Sequence, residues 1–402
     1  GRNARWRVRM SDPDTVAVVA ALAEVAEKGA DAMRVLSCAT MIADWATHDD
    51  GPSTALLSEQ GAIDALVKAL TERSEDTSFA HQMVEAFLRM AVAADASRAM
   101  ARAPAFVESL AMLMRTHTHS VSLVGGCCTL VSALCVDEES ASLVGQPQVF
   151  SAISTAMWLY RTNGSLLLRA CTALSRMRPS AAAPPPAQVV NAISTAISQQ
   201  LERARFVPQA SPEQSPEKCQ STSGAEAGTA QGSRFPLPAG ESIVSNGPAF
   251  AGADPLPGAG WGSQVEAWAG ETSEDGLGSA EELRRIVCVA CDAMRNICTD
   301  GECRSVAGTQ GGMAALWRAL AELGRDATVA EAALGALTTL ARCETSRPKV
   351  GTPEGVQQLQ SVLDARRDRP AELLAPLALA VEFSRATLQL ELLSQAGVLN
   401  CA

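Results

Sequence analysis

Four cysteines lie close together at Cys288, Cys291, Cys298 and Cys303, and the first two form a C-x2-C pair. Two thiolates at that spacing can share a tetrahedral zinc ion, but such sites usually draw on a second, separated pair, and none follows. The run "RRIVCVACDAMRNIC" also has the apolar spacing of a helix rather than a metal knuckle. His117 and His119, in "RTHTHSV", are spaced for weak metal binding, yet no acid or cysteine close in sequence completes a site. A surface loop is the expected setting for that pair, and His48 and His81 have no sequence partners. No serine-centred elbow, phosphate-cradling glycine loop or H-E-x-x-H helix occurs. "GGCC" at 125–128 is not a nucleotide loop, because no strand precedes it. The expectation is a chain that is not an enzyme, with no catalytic residue, metal or cofactor.

The elements that carry these residues follow from an internal repeat. "GAIDALVKAL" from Gly61 has apolar residues at its third, sixth and tenth positions, Ile63, Leu66 and Leu70. The template recurs from Ala105 (Val107, Leu110, Met114), Gln148 (Phe150, Ile153, Met157), Gly311 and Glu354, and a last copy begins at Ala396. Successive starts are 44 and 43 residues apart, then 43 and 42 after a gap. A second motif begins 23 residues after each start, with apolar positions at i, i+3 and i+6. It reads Val84/Phe87/Met90, Cys128/Val131/Leu134, Cys171/Leu174/Met177, Leu334/Leu337/Leu340 and Leu377/Ala380/Phe383. Such spacings place the side chains on one helix face, which a lone helix cannot bury, so neighbouring units must stack. Cys291 falls in the same column as Val84 and Leu334, which marks it as core.

The gap is one interrupted unit. "QVVNAISTAI" from Gln188 nearly duplicates "QVFSAISTAM" from Gln148, and its partner motif, Cys291/Met294/Ile297, arrives 103 residues later instead of 23. The insertion holds nine acidic and two basic residues between Val207 and Ala280, with many Pro, Gly and Ser. It has too little apolar surface to offset the entropy of ordering and is expected to be a disordered loop. An earlier, weaker unit covers roughly Asp14–Gln60, where "MRVLSCATMIADWA" is helical but poorly registered.

Composition agrees with helices: 47% of residues are apolar, while aromatic residues, favoured in strands, make up only 4%. A net charge of −11 argues against nucleic acid or an anionic membrane surface as main partner. The most apolar run, 121–136, is too short to span a bilayer. Twelve cysteines in 402 residues are too few for a disulfide scaffold, which points to a reducing, intracellular compartment: the cytoplasm, with the nucleus also open.

"QGAIDALVKAL" and "QGGMAALWRAL" resemble the second helix of armadillo repeats, and "ACDAMRNICTDGECRSVAGTQGG" resembles the third helix, the turn and the next first helix. The resemblance covers nearly all of the chain outside the insertion. It implies an all-α fold, a right-handed armadillo-type α-solenoid with three helices per unit. It also implies a groove lined by third helices that binds extended peptides. In peptide-binding relatives such as importin-alpha an asparagine recurs on the third helix and grips the ligand backbone. The matching column here reads Arg89, Ala133, Arg176, Asn296, Thr339 and Glu382, so only Asn296 keeps it, and no tryptophan occupies the preceding turn. That pattern disfavours a nuclear-import role. Arg89, Arg176, Arg295 and Asn296 are the candidate partner-binding donors, since arginine forks suit carboxylates.

Within the insertion, Trp261, Val265 and Trp268 share one face of a short helical pattern flanked by acids. Trp261 and Trp268 are candidate anchors for a partner's groove or for the chain's own concave face. The organisation expected is a tail at 1–13, repeats at 14–206, the acidic insertion at 207–280, and repeats at 281–402 cut off at the end. The function expected is a scaffold or adaptor that binds other proteins, as extended peptides or folded domains. The alternative is a regulatory subunit or chaperone co-factor of the exchange-factor kind, which wraps a folded partner.

Overall fold

The structure, a computed structural model, describes residues 31–47, 62–179, 184–206, 280–309, 311–385 and 387–395. Trp261 and Trp268 lie outside the described residues, as do the N-terminal tail and nearly all of the acidic insertion. The described part is helical throughout, with no strand. Helix α1 spans Ala32–Thr47; α2 is Ala62–Glu72 and α3 is Thr77–Met90. Next come a short α4 (Ala94–Arg102), α5 (Pro104–Thr116) and α6 (Val121–Leu134), then α7 (Glu138–Val144), α8 (Pro147–Leu159) and α9 (Gly164–Arg176). Helix α10 (Gln188–Phe206) precedes the insertion and α11 (Ala280–Ile297) follows it. The chain continues through α12 (Gly301–Thr309), α13 (Gly312–Leu323), α14 (Ala327–Ala341), α15 (Arg347–Val350) and α16 (Pro353–Ala365). A 3-10 turn at Pro370–Leu373 leads into α17 (Leu374–Ser384), and α18 (Thr387–Gln395) comes last.

Local chemistry sets these boundaries. Side chains cap the third helix of four units: Asp76 before α3, Ser120 before α6, Asn163 before α9 and Asp326 before α14 each accept a backbone N–H of the first turn. Second helices α5, α8 and α16 open instead on Pro104, Pro147 and Pro353, where a missing N–H costs nothing.

The helices stack in two rows. Third helices pack in the order α1–α3–α6–α9–α11–α14–α17, and second helices in the order α2–α5–α8–α10–α13–α16. Between the rows lie the template residues: Ile63, Leu66 and Leu70, Val107, Leu110 and Met114, and Phe150, Ile153 and Met157 are all buried. So are Val84, Phe87 and Met90, Cys128, Val131 and Leu134, and Cys171, Leu174 and Met177. The interrupted unit closes as its spacing requires, because α10 packs on α11 and α11 sits between α9 and α14. Ion pairs tie the last turns of α10 to α13: Arg205 to Glu322 at 2.5 Å and Arg318 to Glu202 at 3.4 Å.

Two details depart from the sequence reading. Helix α1, expected to be poorly registered, packs on α3 as a third helix and buries Val35, Ala39, Ile42 and Ala43. In α17 the expected Leu377 and Ala380 are only partly buried, while Leu379 and Phe383 fill the core. The 3-10 turn at Pro370 precedes that helix, and among the described residues no third helix follows it to hold the expected face. Among the described residues no helix is long and apolar enough to cross a membrane.

Candidate functional site

The third-helix row carries the sequence-predicted donors. Arg89 on α3 and Arg176 on α9 are partly buried, Arg295 on α11 is exposed and Asn296 is partly buried. Arg176 Nη1 reaches the Ser132 carbonyl of the preceding unit at 3.4 Å, and Arg295 Nη2 pairs with Asp292 Oδ1 at 2.9 Å. Burial pushes the Asp292 carboxyl above its ordinary range, against the pull of Arg295 and with the push of Glu331. At the far end of the column Glu382 is buried and takes Arg385 at 2.7 Å and Arg342 at 3.5 Å.

Asn296 is committed within the protein. Its Nδ2 donates to the Leu174 carbonyl at 2.8 Å and also to the Met177 carbonyl, both at the C-terminal end of α9. Those acceptors are available for a physical reason. Pro179 follows α9, and Pro184, Pro185 and Pro186 stand outside helix before α10, so among the described residues no first helix stands where α4 and α7 stand in earlier units. Carbonyls at a helix end need donors, and the amide of the next unit supplies them. Asn296→Ala is therefore expected to cost about 1–3 kcal/mol of stability, read from the urea midpoint. A variant with unchanged stability that lost only partner binding would contradict this assignment.

His117 corrects the expectation of a surface loop: it is 1% exposed. Its Nε2 lies 2.5 Å from the Ser74 carbonyl oxygen, which can only accept, so Nε2 carries the proton and Nδ1 accepts from the Thr77 hydroxyl at 3.1 Å. The device repeats at other unit boundaries. The Tyr160 hydroxyl donates to the Thr118 carbonyl, and Arg366 Nη2 donates to the Gly324 carbonyl at 2.6 Å. The residue that ends a second helix thus clamps the turn of the unit before it. His119, beside His117 at 5.7 Å between ring centres, is exposed.

The cysteines are core side chains. Cys291, Cys298 and Cys303 are fully buried, and Cys288 is partly buried with its thiol directed to the Thr328 carbonyl at 3.7 Å. Burial pushes the thiols of Cys128, Cys171, Cys298 and Cys303 up to about 12. They stay protonated at neutral pH, poor as nucleophiles or metal ligands. Cys343 differs, because hydrogen bonds from the Thr345 hydroxyl and neighbouring amides lower its thiol to about 7. Among the described residues no group of three or more His, Cys, Asp or Glu is placed to hold a metal ion.

Arg169 was not singled out by the sequence. It extends from α9 across the neighbouring α6, so that a Cβ built on Gly125 would lie 3.2 Å from its Nη1. Arg295 crosses in the other direction, onto the following third helix, with its Nη1 3.1 Å from where a Cβ on Gly335 of α14 would stand. The available signal was a glycine inside a helical pattern, which often marks close approach by another group. Trp158, 58% exposed at the end of α8 with Arg161 over its ring, is a second feature the pattern did not mark.

No protein-family model matches the chain, and no curated protein matches it significantly.

Proposed function

We propose that the chain is a right-handed armadillo-type α-solenoid that serves as a scaffold or adaptor, binding partner proteins through a concave face made by its third helices. The observation that carries this reading is the row α3–α6–α9–α11–α14–α17, on which Arg169 and Arg295 each lie against a glycine of a neighbouring third helix. The three-helix unit and the period near 43 residues support the armadillo assignment. The chain is not an enzyme, and its acidic balance disfavours nucleic acid. It works in a reducing compartment, the cytoplasm or the nucleus, in keeping with free thiols at all ten described cysteines.

One observation favours the second reading, a regulatory subunit or exchange-factor-like co-factor that wraps a folded domain. Asn296, the residue matching a backbone-gripping asparagine, is engaged by the protein itself. Affinity capture from cell extract tests the main proposal, with the intact chain and a form carrying Arg89→Ala, Arg176→Ala and Arg295→Ala as baits. The variant is expected to lose partners that the intact chain retains. Identical partner sets would overturn the third-helix face as binding site. Partners held as short fragments support the adaptor, and partners held only as intact domains support the regulatory subunit.

A further inference from the structure

Arg169 and Arg295 each lie against a neighbouring third helix, Arg169 toward the preceding unit and Arg295 toward the following one, with two different outcomes. Each extends across a glycine of the neighbouring third helix, Gly125 in one case and Gly335 in the other. Arg295 has a carboxylate at 2.9 Å from Asp292, three residues earlier on its own helix. The residue three before Arg169 is Leu166, which is 1% exposed and points into the core. Arg169 itself is partly buried between α6 and α9, beside the fully buried Cys128 thiol, and burial lowers its pKa. No acid supplies its counter-charge among the described residues, and the thiol beside it is uncharged at neutral pH.

We propose that Arg169 holds a carboxylate of a partner protein's extended acidic segment, laid across the third-helix row where α6 and α9 meet. The inference rests on the reading of that row as a protein-binding face and names the chemistry of its partner. A guanidinium removed from water without a counter-ion is costly, so the site favours an anion from outside. The planar fork suits a carboxylate, and Asp292 supplies that same group to Arg295. Glycine at 125 lets both the stem and one edge of the fork lie against α6, with Nη1 3.2 Å and Cδ 3.5 Å from where a Cβ would stand. Arg176, two turns further along α9, reaches the Ser132 carbonyl and frames the same strip.

Selection of a random displayed-peptide library on the full chain, in parallel with Arg169→Gln and Arg169→Glu, tests the inference. Circular dichroism melts show that each form is folded, and the milder Gln variant keeps the test valid if the Glu variant is not. On the natural chain the enriched peptides are expected to share Asp or Glu at one position. That preference should vanish with Arg169→Gln and turn to Lys or Arg with Arg169→Glu, and an enriched peptide should lose about 30-fold in Kd on Arg169→Gln. Peptides that enrich but keep the same sequences on both variants would overturn the Arg169 site while leaving the binding face intact. Enriched sequences matching stretches of 207–279 would assign the site to the chain itself and overturn a separate partner. If nothing enriches on any form, the extended-peptide face falls, and this inference falls with it.

Discussion

Truncating Phe106 to alanine is expected to lower the stability of the chain by about 3–5 kcal/mol. Phe106 opens α5 and is fully buried, and its ring meets Phe87 of α3 edge-on, with ring centres 4.7 Å apart at 73°. Phe87 belongs to the preceding unit by sequence period, so the pair bridges one unit boundary. In a stacked array each unit depends on its interfaces with its neighbours. A cavity there weakens the contact of the first units with the rest as well as the local core. The row cannot easily collapse into the gap, because α5 is held by α2 and α8 on its flanks and by α6 behind it. Urea unfolding followed by far-UV circular dichroism should show an earlier and broader transition for Phe106→Ala, as the N-terminal units separate from the array. Phe106→Leu, which keeps much of the volume, should cost less than about 2 kcal/mol. Equal losses for the two variants would sink the cavity explanation.

The apolar face of most units was legible in the sequence because burial imposes its period locally, although α17 turns a different face to the core. Ile63, Leu66 and Leu70 repeat as Val107, Leu110 and Met114 without reference to what lies between the copies. For the same reason an insertion of 80 residues between Gln188 and Cys291 did not hide their pairing. The polar clamps were not legible in the same way. Asn296 finds its acceptors at Leu174 and Met177 across the insertion, and nothing about an asparagine in a helix says which distant carbonyls lack donors. A surface loop was the expectation for His117 because it falls between a second and a third helix with no acid or cysteine close in sequence, yet its partners, Ser74 and Thr77, stand about one period earlier. Arg169 was not marked because its lack of an acid partner among the described residues is a matter of packing, which sequence does not show. Side-chain caps at Asp76, Ser120, Asn163 and Asp326 were readable in principle. They occupy a fixed place before these four third helices and would have set the first residue of each.

Gly145→Ala is expected to cost about 2–4 kcal/mol although the substitution adds a single methyl group. The backbone there has φ −69°, which alanine adopts freely, so conformational strain is not the cause. The obstacle is close approach, because a Cβ on Gly145 would collide with the backbone carbonyl of Arg178. That segment cannot recoil without losing bonds. Arg178 N–H donates to the Ala141 carbonyl at 3.0 Å, Met177 is fully buried, and its carbonyl is held by Asn296. Gly145 N–H shares the Ala141 carbonyl at 3.0 Å, so both chains converge on one acceptor at the end of α7. A methyl group must break the Arg178 bond or push α7 away from the core. Gly301→Ala, with no atom within 4 Å of the added carbon, provides the control and should stay within about 0.5 kcal/mol. Gly311→Ala, also in open space but at φ +83°, isolates the backbone penalty and should cost about 1 kcal/mol. If the urea midpoints of Gly145→Ala and Gly311→Ala fell together, the close approach of the two chains would not be the determinant. A loss at Gly145 well beyond that at Gly311 would show that the close approach of the Arg178 backbone to the end of α7 makes this crossing a fixed joint between units.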